Sequence, residues 1–272
     1  MIAVETAVAR WVQSIRHNRA EATVETYRTV IHNWRQAMPT RLRDVDRHRI
    51  CEWLDELLDR NRSPNTARVY YFIVRAFYDW ASDRYEIPNV AAEIKTRLYP
   101  RTKNHQRVVT RDEYVALMAR LKGQQRDMIQ FIAHTGLRSI EVRRVRWSHI
   151  QRTYIQVLGK GDKFRLVPLN RTLTEIIDRY PRTGDRPAFL AYYAANKQRL
   201  VTCCHKAADM TRIERFGPHA LRHYYATELM RRGVPLKKIS MALGHSSTAI
   251  TEMVYIHAQY EDIQDISLCL DE

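Results

Sequence analysis

The chain has 272 residues, with 45 Lys or Arg against 30 Asp or Glu and a formal net charge of +15. Such a surplus predicts a polyanionic partner, because basic side chains that neutralise phosphates release counterions on binding. No apolar run approaches the roughly 20 residues of a transmembrane helix, and the first residues lack the pattern of a secretory signal. The four cysteines form no plausible disulfide framework, which indicates a reducing compartment. We therefore expect no membrane partner and favour nucleic acid.

Residues 1–98 are helix-patterned almost throughout. The stretch TVETYRTVIHNWRQAM has helical spacing, and Ser63 followed by Pro64 is an N-cap with a first-turn proline that opens a further helix. These signals predict an all-helical N-terminal domain of about four or five helices. Residues 99–107, YPRTKNHQR, are mostly polar and are predicted to form a linker.

Residues 108–272 have a mixed pattern. Thr110 and Glu113 form a capping-box signature, and Gly136 ends a later helical stretch. In TYIQVLGKGDKFRLVPL, two strand-like runs flank turn residues, which predicts a β-hairpin with Lys160 at or near its tip. Helical patterns resume afterwards. The fold class predicted for the chain is mainly α: a helical N-terminal domain and an α+β C-terminal domain with a small antiparallel sheet.

The stretch GPHALRHYYATELMRRG predicts a helix that begins at Pro218. At spacings of three and four residues, one stripe of this helix carries His219, Arg222 and His223. A neighbouring stripe, predicted to be buried, contains Leu221, Tyr225 and Leu229. Cationic or potentially cationic neighbours destabilise each other unless an anion lies opposite, so this helix predicts an anion site.

Three further clusters carry basic or nucleophilic groups. Arg138 directly precedes a helix, where it is able to reach an anion, and a bidentate pair with Glu141 would support it. Lys160 lies on the hairpin turn, and His245 precedes Tyr255 by ten residues. Each cluster alone has a structural interpretation, namely a surface ion pair, a solvated lysine or a packed tyrosine. Their order and combination favour a functional site.

TGLRSIE, the GKGDK hairpin, HALRH and LGHSS followed by a tyrosine occur in that order, and together they resemble the tyrosine recombinase (phage integrase) family. The resemblance covers about residues 107–260, and the N-terminal region is similar, more weakly, to the family's core-binding domain. It implies a core-binding domain at 1–98, a linker at 99–107 and a catalytic domain at 108–272. The implied activity is site-specific cleavage and rejoining of duplex DNA through a covalent 3′-phosphotyrosyl intermediate, without metal, cofactor or ATP. The implied partners are double-stranded DNA and further copies of the chain, as a tetramer on DNA. The implied setting is the cytoplasm or, for a viral protein, the host cell.

The resemblance also implies a role for each motif residue. Arg138 and Arg222 correspond to the phosphate-binding arginines, and Tyr255 corresponds to the nucleophile. Lys160 is the hairpin lysine, and His219 and His245 are the two active-site histidines. Glu141 and His223 are supporting residues. The family's tyrosine usually lies nine residues after the histidine rather than ten. An extra residue within a helix would rotate the tyrosine by about 100°, so Tyr260 is the alternative nucleophile.

These residue types suit phosphoryl transfer. Guanidinium groups keep their charge and match the negative charge that develops on the nonbridging oxygens. Histidines move protons near neutral pH, and a lysine on a hairpin is able to protonate the leaving 5′ oxygen. Cationic neighbours lower the phenol pKa of a tyrosine from about 10 toward use as a nucleophile.

Other functions remain open from the sequence. A zinc hydrolase is disfavoured because Ala220 stands where the catalytic glutamate of a zinc-protease helix would be. A metal-dependent transposase needs clustered carboxylates, and this region is poor in them. Cys203, Cys204 and His205 lack the usual spacing of metal ligands, which disfavours a metal site there. A type IB-like topoisomerase shares the tyrosine chemistry. A metal-free nuclease would not need Tyr255, and a catalytically silent DNA-binding protein would not need the complete residue set.

Overall fold

The computed structural model describes residues 2–95, 99, 107–159 and 164–244, and the chain divides into two compact units, Met1–Asn104 and His105–Glu272. Each unit has a separate hydrophobic core. No helix within the described ranges combines the length and the apolar character needed to span a membrane.

The first unit is helical: α1 (Val4–Ile15), α2 (Glu21–Ala37), α3 (Arg47–Asp59) and α4 (Pro64–Tyr85), with a short 3-10 turn at Leu42–Asp44. α4 begins where the sequence predicts, because Ser63 Oγ accepts the backbone N–H of Thr66 and Pro64 occupies the first turn. Its core is aromatic, with the rings of Trp34, Phe77 and Tyr78 in mutual contact. Burial of these large rings stabilises a small helical unit.

Tyr99, the first residue of the predicted linker, belongs to the core of the first unit. Its ring is buried and lies 6.4 Å from that of Tyr71, and its hydroxyl lies 3.2 Å from Asp55 Oδ1. An aromatic ring with a polar tip gains from burial when the hydroxyl finds a partner. The polar composition of residues 99–107 does not reveal this anchoring.

The second unit contains eight helices, α5 to α12, and a hairpin within the described ranges. In chain order the elements are α5 (Arg111–Arg120), α6 (Gly123–Thr135), α7 (Ser139–Arg144), β1 (Tyr154–Leu158), β2 (Phe164–Pro168), α8 (Arg171–Asp178), α9 (Ala188–Ala194), α10 (Lys197–Thr211), α11 (Pro218–Arg231) and α12 (Leu236–Leu243). The strands pair antiparallel, with Leu158 opposite Phe164. Thr110 and Glu113 form the predicted capping box at α5. The predicted fold class, mainly helical with a small antiparallel sheet, is confirmed.

Gly136 brings the end of α6 against α11 and α12. Its φ of +61° is in the left-handed region, and a Cβ there would lie 2.5 Å from Tyr225 Cδ1 and 2.9 Å from Leu243 Cδ2. Only glycine satisfies both the backbone conformation and this close approach. The turn thereby places the start of α7 beside α11 and α12.

The buried face of α11 differs from the predicted stripe. Leu221 is buried, but Tyr225 and Leu229 are only half-buried, while Tyr224 and Arg222 are buried. The prediction of a single stripe was wrong because α11 packs against α6, α10 and α12. A helix with neighbours on several sides buries a wider face than one apolar stripe.

Candidate functional site

Glu141 is the centre of a buried ionic cluster at the start of α7. Arg138 occupies the N-cap position, and its backbone N–H donates to Glu141 Oε2 at 2.7 Å. Arg138 Nη1 also donates to Glu141 Oε1 at 3.0 Å. Glu141 is 3% exposed, whereas the side chain of Arg138 is 32% exposed. The carboxylate therefore caps its own helix and orients an arginine that stays accessible.

Arg165 on β2 is not among the residues that the sequence motifs single out. Its Nη1 and Nη2 donate to the two oxygens of Glu141 at 2.7 and 2.8 Å. The predicted ion pair between Arg138 and Glu141 forms, but it is not bidentate, because Arg138 Nη2 donates to Gly244 O instead; the parallel pair belongs to Arg165. The sequence contains one signal for this position. Residues two apart share a face of a strand, so Arg165, two residues before buried Val167, is predicted to face inward.

Arg222 on α11 reaches the same cluster and is 6% exposed. Its Nη1 donates to the carbonyl of Gly136 at 2.7 Å, and one of its nitrogens lies 4.0 Å from Glu141 Oε2. Burial, followed by the positive charge of Arg138, lowers the pKa of Arg222 to about 9, against the opposing effect of Glu141. The group is protonated at neutral pH. An anion placed beside it would raise its pKa again.

The last three carbonyl groups before His245 each accept a hydrogen bond from a different arginine. Arg165 Nε donates to Ala242 O at 2.8 Å, Arg222 Nη2 to Leu243 O at 2.9 Å, and Arg138 Nη2 to Gly244 O at 3.0 Å. Carbonyl groups at a helix C-terminus lack intrahelical partners and carry partial negative charge. We call Glu141, its three arginines and these carbonyl groups the arginine cluster.

The two histidines of α11 differ in exposure. His219 is exposed, one turn before Arg222, whereas His223 is half-buried. Burial, followed by the neighbouring His219 and Arg222, lowers the pKa of His223 to about 4. His223 is therefore neutral at pH 7. It does not add a charge beside the arginines.

Several predicted site residues lie outside the described residues. These are Lys160, between the two strands, and His245, Tyr255 and the alternative nucleophile Tyr260, after the end of α12. The structure thus brings together Arg138, Glu141 and Arg222 and leaves the choice between the two tyrosines as a prediction.

Cys203 and Cys204, the weak metal candidate of the sequence, are buried in α10. Burial raises the pKa of both thiols, which disfavours the thiolate that binds metals. Within the described part of the chain, no three His, Cys, Asp or Glu side chains are grouped as metal ligands would be.

Two family models match this chain. The model described as "Phage integrase family" matches residues 107–262, and "Phage integrase, N-terminal SAM-like domain" matches residues 8–85. A curated relative, "Tyrosine recombinase XerD" of Staphylococcus epidermidis, is 28% identical over 245 residues, which cover 81% of each chain.

Solved structures share the fold. A lambda integrase (75–356) dimer bound to a COC′ core site matches with a TM-score of 0.78 and 18% identity, covering 92% of this chain and 97% of that one. A post-cleavage complex of the XerH site-specific recombinase matches with a TM-score of 0.70 and 18% identity, covering 97% and 84%. The first family model covers more than half of the chain, including every residue of the arginine cluster, and the family predicted from the motifs is confirmed. The chain therefore belongs to the phage integrase family, the tyrosine recombinases.

Proposed function

We propose that the protein is a site-specific recombinase that cleaves and rejoins duplex DNA through a covalent phosphotyrosine. One observation carries the proposal: in the arginine cluster, three guanidinium groups surround a single carboxylate, that of Glu141. Among the residues that the structure describes, the cluster therefore has excess positive charge, at a site where the side chain of Arg138 remains accessible. A phosphodiester supplies the complementary negative charge.

Arg138 and Arg222 bind the scissile phosphate in this proposal. Their guanidinium groups remain charged, and their planar forks match two oxygens of a phosphate. They are held in place before substrate binds, since Glu141 and backbone carbonyls accept hydrogen bonds from them. Groups that need no reorientation stabilise the charge that develops on the nonbridging oxygens in the transition state.

The covalent step uses residues beyond the cluster. The phenol oxygen of Tyr255 attacks phosphorus, its proton passing to a histidine, His219 or His245, while the bond to the 5′ oxygen breaks. Lys160 gives a proton to that leaving oxygen. Attack of a free 5′ hydroxyl on the phosphotyrosine reverses the step, so neither ATP nor a metal ion takes part.

The domain roles follow the same proposal. Residues 1–98 form a core-binding domain and residues 108–272 a catalytic domain, both contacting the DNA backbone, with a linker between them. The basic surplus supports such contacts. Lambda integrase forms a dimer on a core site and a tetramer on a Holliday junction, which supports a DNA-bound tetramer here. The protein would act in the cytoplasm, or in the host cell if it is viral.

The test begins by finding the DNA site. The full chain is incubated with a duplex library carrying nicks, from which a cleaved fragment diffuses away and leaves the protein–DNA adduct trapped. Sequencing the trapped DNA yields the site. Absence of any trapped adduct from the wild type would overturn the proposed function.

The nucleophile is then identified on that site. Tyr255→Phe removes one oxygen, so it should bind the duplex as the wild type does but form no adduct. The matched control Tyr260→Phe should keep the adduct. Arg222→Ala should slow adduct formation by about 10²-fold or more, as removal of one transition-state donor does elsewhere. A phosphate mapped to Tyr260 by peptide sequencing would show that the other tyrosine is the nucleophile.

Joining of two separate duplexes distinguishes a recombinase from a topoisomerase.

A further inference from the structure

We infer that Arg165 is a positioning residue for strand cleavage: it joins β2 and the end of α12 to the carboxylate that orients Arg138. This inference rests on the proposed function. Arg165 is not itself a phosphate ligand, because its side chain is only 10% exposed and its three nitrogens all donate to protein atoms.

Glu141 links Arg165 to Arg138. Each oxygen of the carboxylate accepts one hydrogen bond from Arg165 and one from Arg138. The two parallel bonds from Arg165 fix the plane of the carboxylate. The direction of the Arg138 guanidinium follows from that plane. Arg165 therefore acts on Arg138 through Glu141.

Arg165 also contacts the end of α12. Arg165 Nε donates to Ala242 O, three residues before His245. Gly244 packs directly on the arginine: a Cβ there would lie 3.0 Å from Arg165 Cδ and 3.1 Å from Nη1. The φ of Gly244, +65°, is also left-handed. Glycine at this position thus permits the contact between the end of α12 and the side chain of Arg165.

Arg165 is the inward-facing residue at the start of β2. Phe164 and Leu166 are 62% and 55% exposed, while Arg165 points inward between them. Burying an ion pair costs desolvation energy, and hydrophobic replacements of buried ion pairs are often neutral or stabilising. A strand that exposes two large apolar residues and buries an arginine is poorly explained by stability alone. The bonds of Arg165 instead tie β2, which begins four residues after Lys160, to α7 and α12.

Arg165→Lys tests this role because it keeps the positive charge and removes the fork. A lysine presents one point charge and is unable to form two parallel bonds to Glu141 while also reaching Ala242. With the full chain on its selected site, we expect the single-turnover cleavage rate to fall on the order of 10²-fold, as for small misplacements of reacting groups. The dissociation constant for the duplex should change by less than about threefold, because Arg165 contacts no DNA in this proposal.

Arg179→Lys is a control for the same substitution at another arginine that pairs with a buried carboxylate. Arg179 pairs with another buried carboxylate of the second unit, that of Asp127, at 2.9 Å. Arg179 lies outside the arginine cluster, so the Arg179→Lys variant should cleave DNA at the wild-type rate. Rates are expressed per folded, DNA-bound protein, so that loss of folding does not imitate loss of positioning.

A second variant approaches the contact from the other side. Gly244→Ala places a methyl group against the Arg165 side chain, and we expect a similar loss of cleavage rate with DNA binding retained. Adding Arg165→Lys to Glu141→Gln should slow cleavage by much less than Arg165→Lys slows the wild type, because Arg165 acts on Arg138 through that carboxylate. Wild-type rates in both Arg165→Lys and Gly244→Ala would overturn the inference. If the wild type itself forms no adduct, the proposed function fails instead.

Discussion

Replacing Glu141 by glutamine should separate the stabilising role of the arginine cluster from its predicted chemistry. The change keeps the shape of the side chain but removes its charge and replaces one acceptor oxygen by a donor. In the wild type, that carboxylate accepts four hydrogen bonds from Arg165 and Arg138. In Glu141→Gln, at least one of these donors faces another donor.

The magnitude follows from burial. Glu141 is 3% exposed and its Arg165 partner 10% exposed, so solvent compensates little for the lost charge. Removing one partner of a buried ion pair costs about 3 to 5 kcal/mol, mostly because the other charge is left unpaired. We expect the free energy of unfolding of the second unit to fall by about that amount at pH 7.

The pH dependence has a definite sign. Burial alone raises the pKa of Glu141, but hydrogen bonds from Arg165 and from the Arg138 backbone, with the charges of both arginines, hold it below its usual value. A depressed folded-state pKa stabilises the protein above the unfolded pKa, and that contribution is lost as the pH falls through the folded value. The difference in unfolding free energy between wild type and Glu141→Gln should therefore be constant above about pH 5 and become smaller at lower pH.

Urea-dependent hydrogen exchange, read by mass spectrometry on peptides of α7 and α11, measures the unfolding of the second unit separately from the first. Asp127→Asn provides a comparison, since Asp127 is also buried and paired with an arginine but lies outside the cluster. Its variant should lose stability without slowing cleavage of the folded protein. A Glu141→Gln gap below about 1 kcal/mol, or one independent of pH, would refute the reasoning about this carboxylate.

Further expectations concern local structure and DNA chemistry. Gly136→Ala should destabilise the second unit by about 2 to 5 kcal/mol, because it adds left-handed backbone strain and a clash with Tyr225. Gly184 has a φ of +69°, but a Cβ there would meet no atom within 4 Å, so Gly184→Ala should cost only the strain, about 1 to 2 kcal/mol. If urea-dependent hydrogen exchange shows equal losses of unfolding free energy in the two variants, the clash with Tyr225 is contradicted. Thr110→Ala should cost about 1 kcal/mol in the same assay, because the capping box at α5 is lost, and an unchanged midpoint would deny the cap that role. Duplex affinity should fall linearly with salt on logarithmic axes; a flat titration would contradict backbone binding. Cleavage should survive excess EDTA, and inhibition reversed by zinc or magnesium would favour a metal-dependent enzyme.

Local signals in the sequence predicted the helical elements well. Ser63 and Thr110 cap their helices through contacts within three residues, and Gly136 ends α6 through its own left-handed backbone, so sequence spacing displays these signals directly. The order of the motifs likewise indicates the family and singles out Arg138 and Arg222. A cap or a turn needs no distant partner, so its residues reveal it.

The partners of those arginines were decided by tertiary structure. Arg165 follows Glu141 by 24 residues, and Ala242 follows Arg165 by 77, so no helical or strand spacing connects them. Local composition assigns Tyr99 to a linker, because its hydroxyl partner, Asp55, lies 44 residues away and leaves no nearby signal. The sequence by itself determined where α4, α5 and α11 begin, where α6 ends and which family the chain belongs to. Only packing of α6, α11 and α12 around Gly136 decided that three arginines share one carboxylate, because burial and long-range pairing depend on the whole unit.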